Sequence, residues 1–199
     1  MIYLKLLREI SNENFTLDKM KDLIKKDLSL SYKLLKYINS AQLGFRGKIK
    51  SVNQAIPLLG KKQLKTWLYF VCINSINDKS EIIVVDSLIR ARFAELIFNK
   101  IGLSSKSNDA YFMGMLSMID LLLGRPMSEI INELYIPTEV KQALTGENNN
   151  IYAKILNFIK VYEKGEWSKA FMLVREINIE QEYLPDMYLK SLNWANDFM

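Results

Sequence analysis

The sequence predicts an all-α protein, a compact multi-helix bundle with a smaller C-terminal helical tail. Three observations carry that reading. Apolar residues recur at intervals of three and four from Leu17 to Ala195. No run alternates with period two for long enough to make a strand, and the β-rich patch from Ile82 to Val85 is too short. The 199 residues include only 8 Gly and 4 Pro, which excludes collagen-like, low-complexity and disordered chains.

Taken in order, the N-terminal MIYLKLLREIS carries Lys5, Arg8 and Glu9 inside its apolar run. A signal peptide keeps that core uncharged, so the segment reads as an amphipathic helix. Leu17, Met20, Leu23 and Ile24 form the next stripe, with Thr16 as its N-cap. Leu30, Leu34, Leu35, Ile38 and Ala41 follow Asp27 and Ser29 as another. A loop is expected around Gly44 to Lys50. Ser51 then opens a short helix with Val52, Ala55, Ile56 and Leu59 that Gly60 closes, and Pro57 within it predicts a kink or tightening.

Trp67 to Ile73 is the most apolar stretch, but Lys61, Lys62 and Lys65 precede it and Asn74 follows. A spanning helix needs about 20 consecutive apolar residues, so this is a core helix and no membrane span is expected. A long helix from Ile82 to Ile97 ends at Gly102, and a single helix is expected from Phe112 to Leu122. In the latter region Ala110, Gly114 and Ser117 are small enough to permit close helix approach. Pro126 and Pro137 each suit the first position of a helix. Further stripes run through Ile151–Tyr162, Trp167–Val174 and Leu184–Ala195. The polar Thr145–Asn150 stretch divides a core, 1–145, from an extension, 146–199, packed on it.

Composition narrows the chemistry. The chain has no His, which removes His-metal sites, Ser-His and Cys-His nucleophiles and His acid–base catalysis. A single cysteine, Cys72, excludes an intrachain disulfide and a Cys-based zinc cluster. A reducing cytoplasm fits that usage. Asp78, Asp86, Asp109 and Asp120 never fall into a metal-loop spacing, and Gly60-Lys61-Lys62 lacks the upstream Gly of a phosphate loop. Cys72 on the most apolar stretch reads as a buried, inert thiol.

Charge is uneven. Residues 1–65 carry 14 Lys and Arg against 5 Asp and Glu, a balance of +9, while the remainder carries 13 against 17, a balance of −4. Such asymmetry marks either a surface for an acidic partner or nucleic acid, or a solvated set of helix faces. Tyr32, Tyr37 and Phe45 interleave with Lys33, Lys36 and Arg46. That pattern suits single-stranded nucleic acid superficially, but helical spacing beside Leu34, Leu35 and Ile38 makes core or rim the stronger reading. Arg90 and Arg92 share a helix and could line an anion pocket or pair with Asp86 or Glu95. Asp120, in the apolar run SMIDLLL, is a capping or paired carboxylate before it is a ligand. Asn39 and Ser40 end an apolar helix, and their short polar side chains suit bonding to the local backbone.

Three segments together resemble the HDOD domain, the HD-related output domain of bacterial signalling proteins. Ile24–Ala41 (IKKDLSLSYKLLKYINSA) and Ile49–Gly60 (IKSVNQAIPLLG) carry the two more specific motifs, and Gly114–Asp120 (GMLSMID) the weaker third. More narrowly, Arg90–Glu95, Leu116–Asp120 and Tyr162–Trp167 (YEKGEW) look like the C-terminal half of EAL–HDOD proteins, in which a domain for cyclic-di-GMP phosphodiesterase chemistry comes first. The YEKGEW segment also resembles part of a tetratricopeptide repeat, but it occurs once. No EAL domain is in the sequence, so the resemblance implies either a piece beginning near the HDOD boundary or a stand-alone relative.

The resemblance implies a non-catalytic module without metal or other cofactor. In HD-superfamily hydrolases a His-Asp pair holds metal, and the corresponding positions here are Ser117 and Met118. The expected role is protein–protein contact in signal output, with a preceding EAL domain as the nearest partner. Lys48 and Lys50 are the expected contact residues in the basic third, and Arg90, Arg92, Ser117 and Asp120 would line a vestigial cleft. Asn39, Ser40 and Gly60 are expected to be structural. A nucleic-acid-binding module and a small-ligand, nucleotide-type sensor are the alternatives.

Overall fold

The computed structural model describes residues 2–12, 14–40, 47–74, 81–147 and 149–196. Among these the regular structure is helical and no strand occurs. The chain divides into two compact units, residues 1–76 and 77–199.

The first unit comprises α1 (Ile2–Ser11), α2 (Leu17–Lys25), α3 (Leu28–Ile38) and α4 (Val52–Asn74). Thr16 caps α2 by accepting from the Lys19 N–H at 3.3 Å, and Asp27 caps α3 by accepting from Leu30 N–H at 2.9 Å. Each cap satisfies a backbone donor that has no partner inside its helix. Of the stripes foreseen in the sequence, Met20, Ile24, Leu30, Leu34 and Ile38 are fully buried, Leu17, Leu23 and Leu35 are half-buried, and Ala41 lies outside the described residues. The buried residues pack with Leu6, Leu7 and Ile10 of α1 and the apolar face of α4, including Leu64, Trp67, Leu68 and Tyr69. Tyr69 finds its polar partner in Ser11 Oγ, 3.0 Å away.

The break in α4 falls at Gly60 and not at Pro57. Gly60 has φ 69° and ψ 173°, a combination open almost solely to glycine, and it separates two helical stretches. Pro57 stays helical because it and Asn53, whose carbonyl loses its usual donor, lie on the exposed face where water can replace the bond. Burial pushes the Cys72 thiol far above its ordinary pKa, which keeps it protonated and unreactive.

The second unit comprises α5 (Glu81–Lys100), α6 (Ser107–Leu116), α7 (Ile119–Leu123), α8 (Met127–Asn132), α9 (Thr138–Thr145), α10 (Ile151–Glu163), α11 (Trp167–Glu176) and α12 (Leu184–Asn196). Its centre is the packing of α5 on α6, with α12 and α10 against α5. The β-branched run at the start of α5 is helical, because tertiary packing outweighs its weak strand preference. Gly114 makes the α5–α6 approach possible. A Cβ there would lie 2.5 Å from the Ala91 backbone, so only a hydrogen fits. Phe93, Phe158, Tyr162 and Tyr188 form an aromatic cluster with ring centroids 5.2 to 6.1 Å apart.

Two sequence expectations change here. The helix expected from Phe112 to Leu122 is two helices, interrupted at Ser117 and Met118. Ser117 turns back on α6, its Oγ donating to the Gly114 carbonyl at 2.7 Å and its N–H bonding the same carbonyl at 3.2 Å. This tighter closure ends the α-helical ladder. Pro126 and Pro137 are N-caps with extended ψ, one residue outside the helices they introduce.

Candidate functional site

Arg90 and Arg92 both arise from α5, but two residues of helix separate their directions by about 200°. They reach different partners. Arg90 spans to Glu163 at the end of α10: Nε donates to Oε1 at 3.1 Å and Oε2 at 2.8 Å, and Nη2 lies 2.8 Å from Oε2. Its Nη1 donates to Ser117 Oγ at 3.3 Å. One guanidinium thus joins α5, the α6–α7 break and α10. Arg92 instead pairs with Glu95 on its own helix at 2.6 Å and lies over the Trp194 ring at 5.9 Å.

The Arg90–Glu163 pair is largely shielded, with side chains 13% and 17% exposed. Burial raises the Glu163 carboxyl above its ordinary pKa, and the Arg90 hydrogen bond opposes that rise. Lys160, one turn earlier on α10, has its ammonium pKa lowered, first by the protein packed around it and then by Arg90. Lys160 is nevertheless solvent-exposed along its side chain. Asp120, Glu163 and Asp86 supply the neighbouring negative charge, Asp120 acting on Lys160 and Asp86 on Glu163. Lys160 also lines an open cleft of 450 Å³ between α9 and α10, with Glu147, Asn149 and Asn157.

The structure therefore gathers Arg90, Ser117 and Asp120 into one neighbourhood and leaves Arg92 out of it. Lys48 and Lys50 are exposed in the first unit. Asn39 holds the backbone of Ile49 in both directions, Nδ2 donating to Ile49 O and Oδ1 accepting from Ile49 N, each at 2.8 Å. Ser40 Oγ is buried without a hydrogen-bond partner among the described residues. Arg46, Phe45, Gly44 and Asp78 lie outside the described residues. Sequence reasoning missed Glu163 and Lys160 as members of the cluster; the YEKGEW motif, which contains Glu163, was the available signal.

The HDOD domain family model matches residues 1–148. The chain belongs to the HDOD family. HDOD domains are the non-catalytic output modules of the HD superfamily, and this member has no His with which to build an HD metal centre. The residues at hand do not fit a divalent ion either. Ser117 Oγ already faces a guanidinium, and no group of three His, Cys, Asp or Glu among the described residues is arranged to hold a metal.

Over 99% of its length the chain is 37% identical to the uncharacterized protein YuxH of Bacillus subtilis. It is 25% identical to the cyclic di-GMP phosphodiesterase CdgJ of Vibrio cholerae, again over 99% of its length. The chain spans about half the length of these relatives, 48% and 46% respectively. The fold matches a crystal structure of a Shewanella amazonensis SB2B protein named as a phosphohydrolase, with a TM-score of 0.67. That match covers 100% of this chain and 93% of the other at 14% identity, a likeness of fold alone. Among the described residues no helix is long and apolar enough to cross a membrane.

Proposed function

We propose that this chain is a signal-output module of the cytoplasm that works by binding another protein domain, with an EAL domain as the nearest partner and cyclic-di-GMP turnover as the regulated chemistry. In this reading residues 1–145 are the HDOD core and 146–199 an extension packed on it. The observation that carries the reading is the internal use of Arg90, Ser117 and Glu163. Their polar groups satisfy one another and tie three helical segments together, which suits a scaffold better than a reaction centre. Similarity to CdgJ across 46% of that protein supports the link to cyclic-di-GMP.

The test mixes the purified chain with the portions of YuxH and of CdgJ that lie outside their matched halves. Association is read by sedimentation, and cyclic-di-GMP hydrolysis by the CdgJ portion is followed with and without the chain. Complex formation with altered turnover is expected. Absence of both association and any change in turnover overturns the partner reading. Chelator-sensitive hydrolysis of a cyclic dinucleotide by the chain alone overturns the non-catalytic one.

A second reading, small-ligand sensing, draws support from the 450 Å³ cleft and the Lys160 ammonium on its wall. A nucleotide retained by the purified protein and lost on Lys160→Ala favours it.

A further inference from the structure

Helix α3 turns one face inward, through Leu30, Leu34 and Ile38, and leaves another face exposed among the described residues. Leu28 is 86% exposed and Tyr32, one turn later, is 68% exposed. Lys36 continues the same row at the next turn and is also exposed. Two large apolar side chains thus stand side by side in water on a rigid helix.

Hydrogen bonds place basic residues at both ends of that row. At its start, Asp27 N–H bonds Ile24 O at 3.1 Å and Ser31 Oγ donates to Ile24 O at 2.9 Å, which locks the end of α2 to the beginning of α3. Lys25 and Lys26, both exposed, belong to that junction. At the far end, the Asn39 clamp on Ile49 holds Lys48 and Lys50 beside the last turn of α3. Lys50 is further fixed by its N–H donating to Gln54 Oε1 at 3.2 Å. The nearby acids are Asp22, exposed on α2, and Asp27, whose carboxylate is engaged as the α3 cap.

We infer that the Leu28–Tyr32 row with its lysine ends is a docking surface for an acidic amphipathic helix of a partner protein. The inference rests on the partner-binding reading above and names the surface and the chemistry of what it binds. Two apolar anchors one helical turn apart match the i, i+4 spacing of a helix laid along them, and the lysines select acidic flanks. Nucleic acid fits less well. The row offers a single aromatic face, since Tyr37 is half-buried and stacked on Trp67 at 6.3 Å, and Leu28 offers no ring to a base. A lipid surface would call for a broader apolar face than two side chains provide.

The probe is a fluorescent synthetic amphipathic helical peptide with leucines at i and i+4 and glutamates on its flanks, titrated with the full chain. Controls are the same peptide with lysines for glutamates, a single-stranded oligonucleotide and anionic phosphatidylserine vesicles. The acidic peptide should bind, with affinity falling as salt rises, and the basic peptide should not. The double variant Leu28→Asp/Tyr32→Ser should weaken binding about tenfold or more while its thermal midpoint stays near that of the parent. A second variant, Lys25→Gln/Lys26→Gln/Lys36→Gln, should flatten the salt dependence. Failure of the acidic peptide to bind, equal binding by the Leu28/Tyr32 variant, or preference for the oligonucleotide or the vesicles overturns the surface.

The same Leu28/Tyr32 variant is then assayed with the unmatched portions of YuxH and CdgJ. If the parent binds them and the variant binds equally, the surface is wrong and partner binding stands. If the parent binds the peptide in this Leu28/Tyr32-dependent way but neither portion, the surface stands and those partners fall.

Discussion

Residues 1–76 and 77–199 each use a polar side chain to hold together segments that lie apart in sequence, but with different chemistry. In the first unit a neutral amide does it. Asn39 grips both backbone groups of Ile49, and its own helix end accepts the remaining donor at Leu35 O, 2.7 Å away. In the second unit a charged pair does it, Arg90 with Glu163, across 73 residues of sequence. An amide carries little desolvation cost and can sit at an exposed edge. A shielded ion pair must recover the hydration that both charges lose, so it is sensitive to the removal of either partner. The first unit thus has a local clamp with a small stake, and the second a long-range one with a large stake.

The glycines sharpen the same contrast and give the largest expected effect. In the second unit Gly114→Ala drives a Cβ to 2.5 Å from the Ala91 backbone and 2.6 Å from the carbonyl carbon of Arg90. Backbone on α5 cannot rotate away as a side chain would, so a loss of about 3–4 kcal/mol is expected in denaturant unfolding. In the first unit Gly60→Ala meets no atom within 4 Å, and only its φ of 69° is strained. A cost of about 2 kcal/mol or less follows. Equal costs at the two sites would remove the distinction between a tight second unit and a more open first one.

Next in size is the ion pair. Arg90→Met leaves Glu163 shielded without its guanidinium and should cost about 3 kcal/mol. Arg90→Met/Glu163→Met should recover much of that loss, because no charge is stranded. A double variant as unstable as the sum of the singles would show that the two do not act as a pair.

The pH dependence has a definite sign. Burial holds the folded Glu163 carboxyl above its ordinary value of 4.5, so between that value and the raised one the folded state binds more protons than the unfolded state. This group's contribution to stability is greatest below the unfolded pKa and declines as pH rises through the folded one. In Glu163→Gln that declining limb should be missing from a plot of unfolding free energy against pH. A limb of unchanged slope would assign it to another group.

How much of this was legible follows from range. Helical class, the Thr16 cap and the inward stripes of α2 and α3 depend on residues within a turn or two of one another, and sequence periodicity records such relations. The small residues at Ala110 and Gly114 announced a close helix approach, although not which backbone they would meet. The pairing of Arg90 with Glu163 left no periodic trace, and the local candidates Asp86 and Glu95 stood nearer in sequence. The split between α6 and α7 was hidden because Phe112–Leu122 keeps its apolar spacing across Ser117 and Met118, where a side-chain bond to the backbone decides the outcome. At α4 the break at Gly60 was legible, because glycine is the residue such a φ demands, whereas the kink expected at Pro57 is absent because solvent tolerates that proline.

A smaller effect belongs to the clamp of the first unit. Asn39→Ala removes the two bonds to Ile49 and the one to Leu35 O, but Asn39 is exposed and water can serve the freed groups in part. A loss of about 1 kcal/mol is expected by thermal or chemical unfolding. Asn39→Asp keeps the acceptor but turns the donor into a carboxylate oxygen facing the Leu35 and Ile49 carbonyls, so at neutral pH it should cost at least as much as alanine. A loss as large as that of Arg90→Met would erase the contrast between the two clamps.

The smallest effect on stability, and the one that separates folding from function, concerns Lys48 and Lys50. Both side chains are exposed, and the positions are held through backbone groups of Ile49 and Lys50, which a side-chain change leaves in place. Lys48→Glu/Lys50→Glu should therefore move the thermal midpoint little, within the usual range of about 0.5 kcal/mol for surface changes. It should act instead on encounter with an acidic partner. Charges at the rim of a surface steer approach over distances comparable to the Debye length, about 8 Å at physiological salt, and alter the association rate more than the dissociation rate. Stopped-flow mixing with an acidic partner should show slower association for the reversed variant at low salt, and the two proteins should converge as salt is raised. A reversal that left the rate untouched while the Leu28/Tyr32 variant still lost binding would confine recognition to the apolar centre of α3. A reversal that lowered the thermal midpoint as far as Asn39→Ala would make the lysines part of the clamp itself.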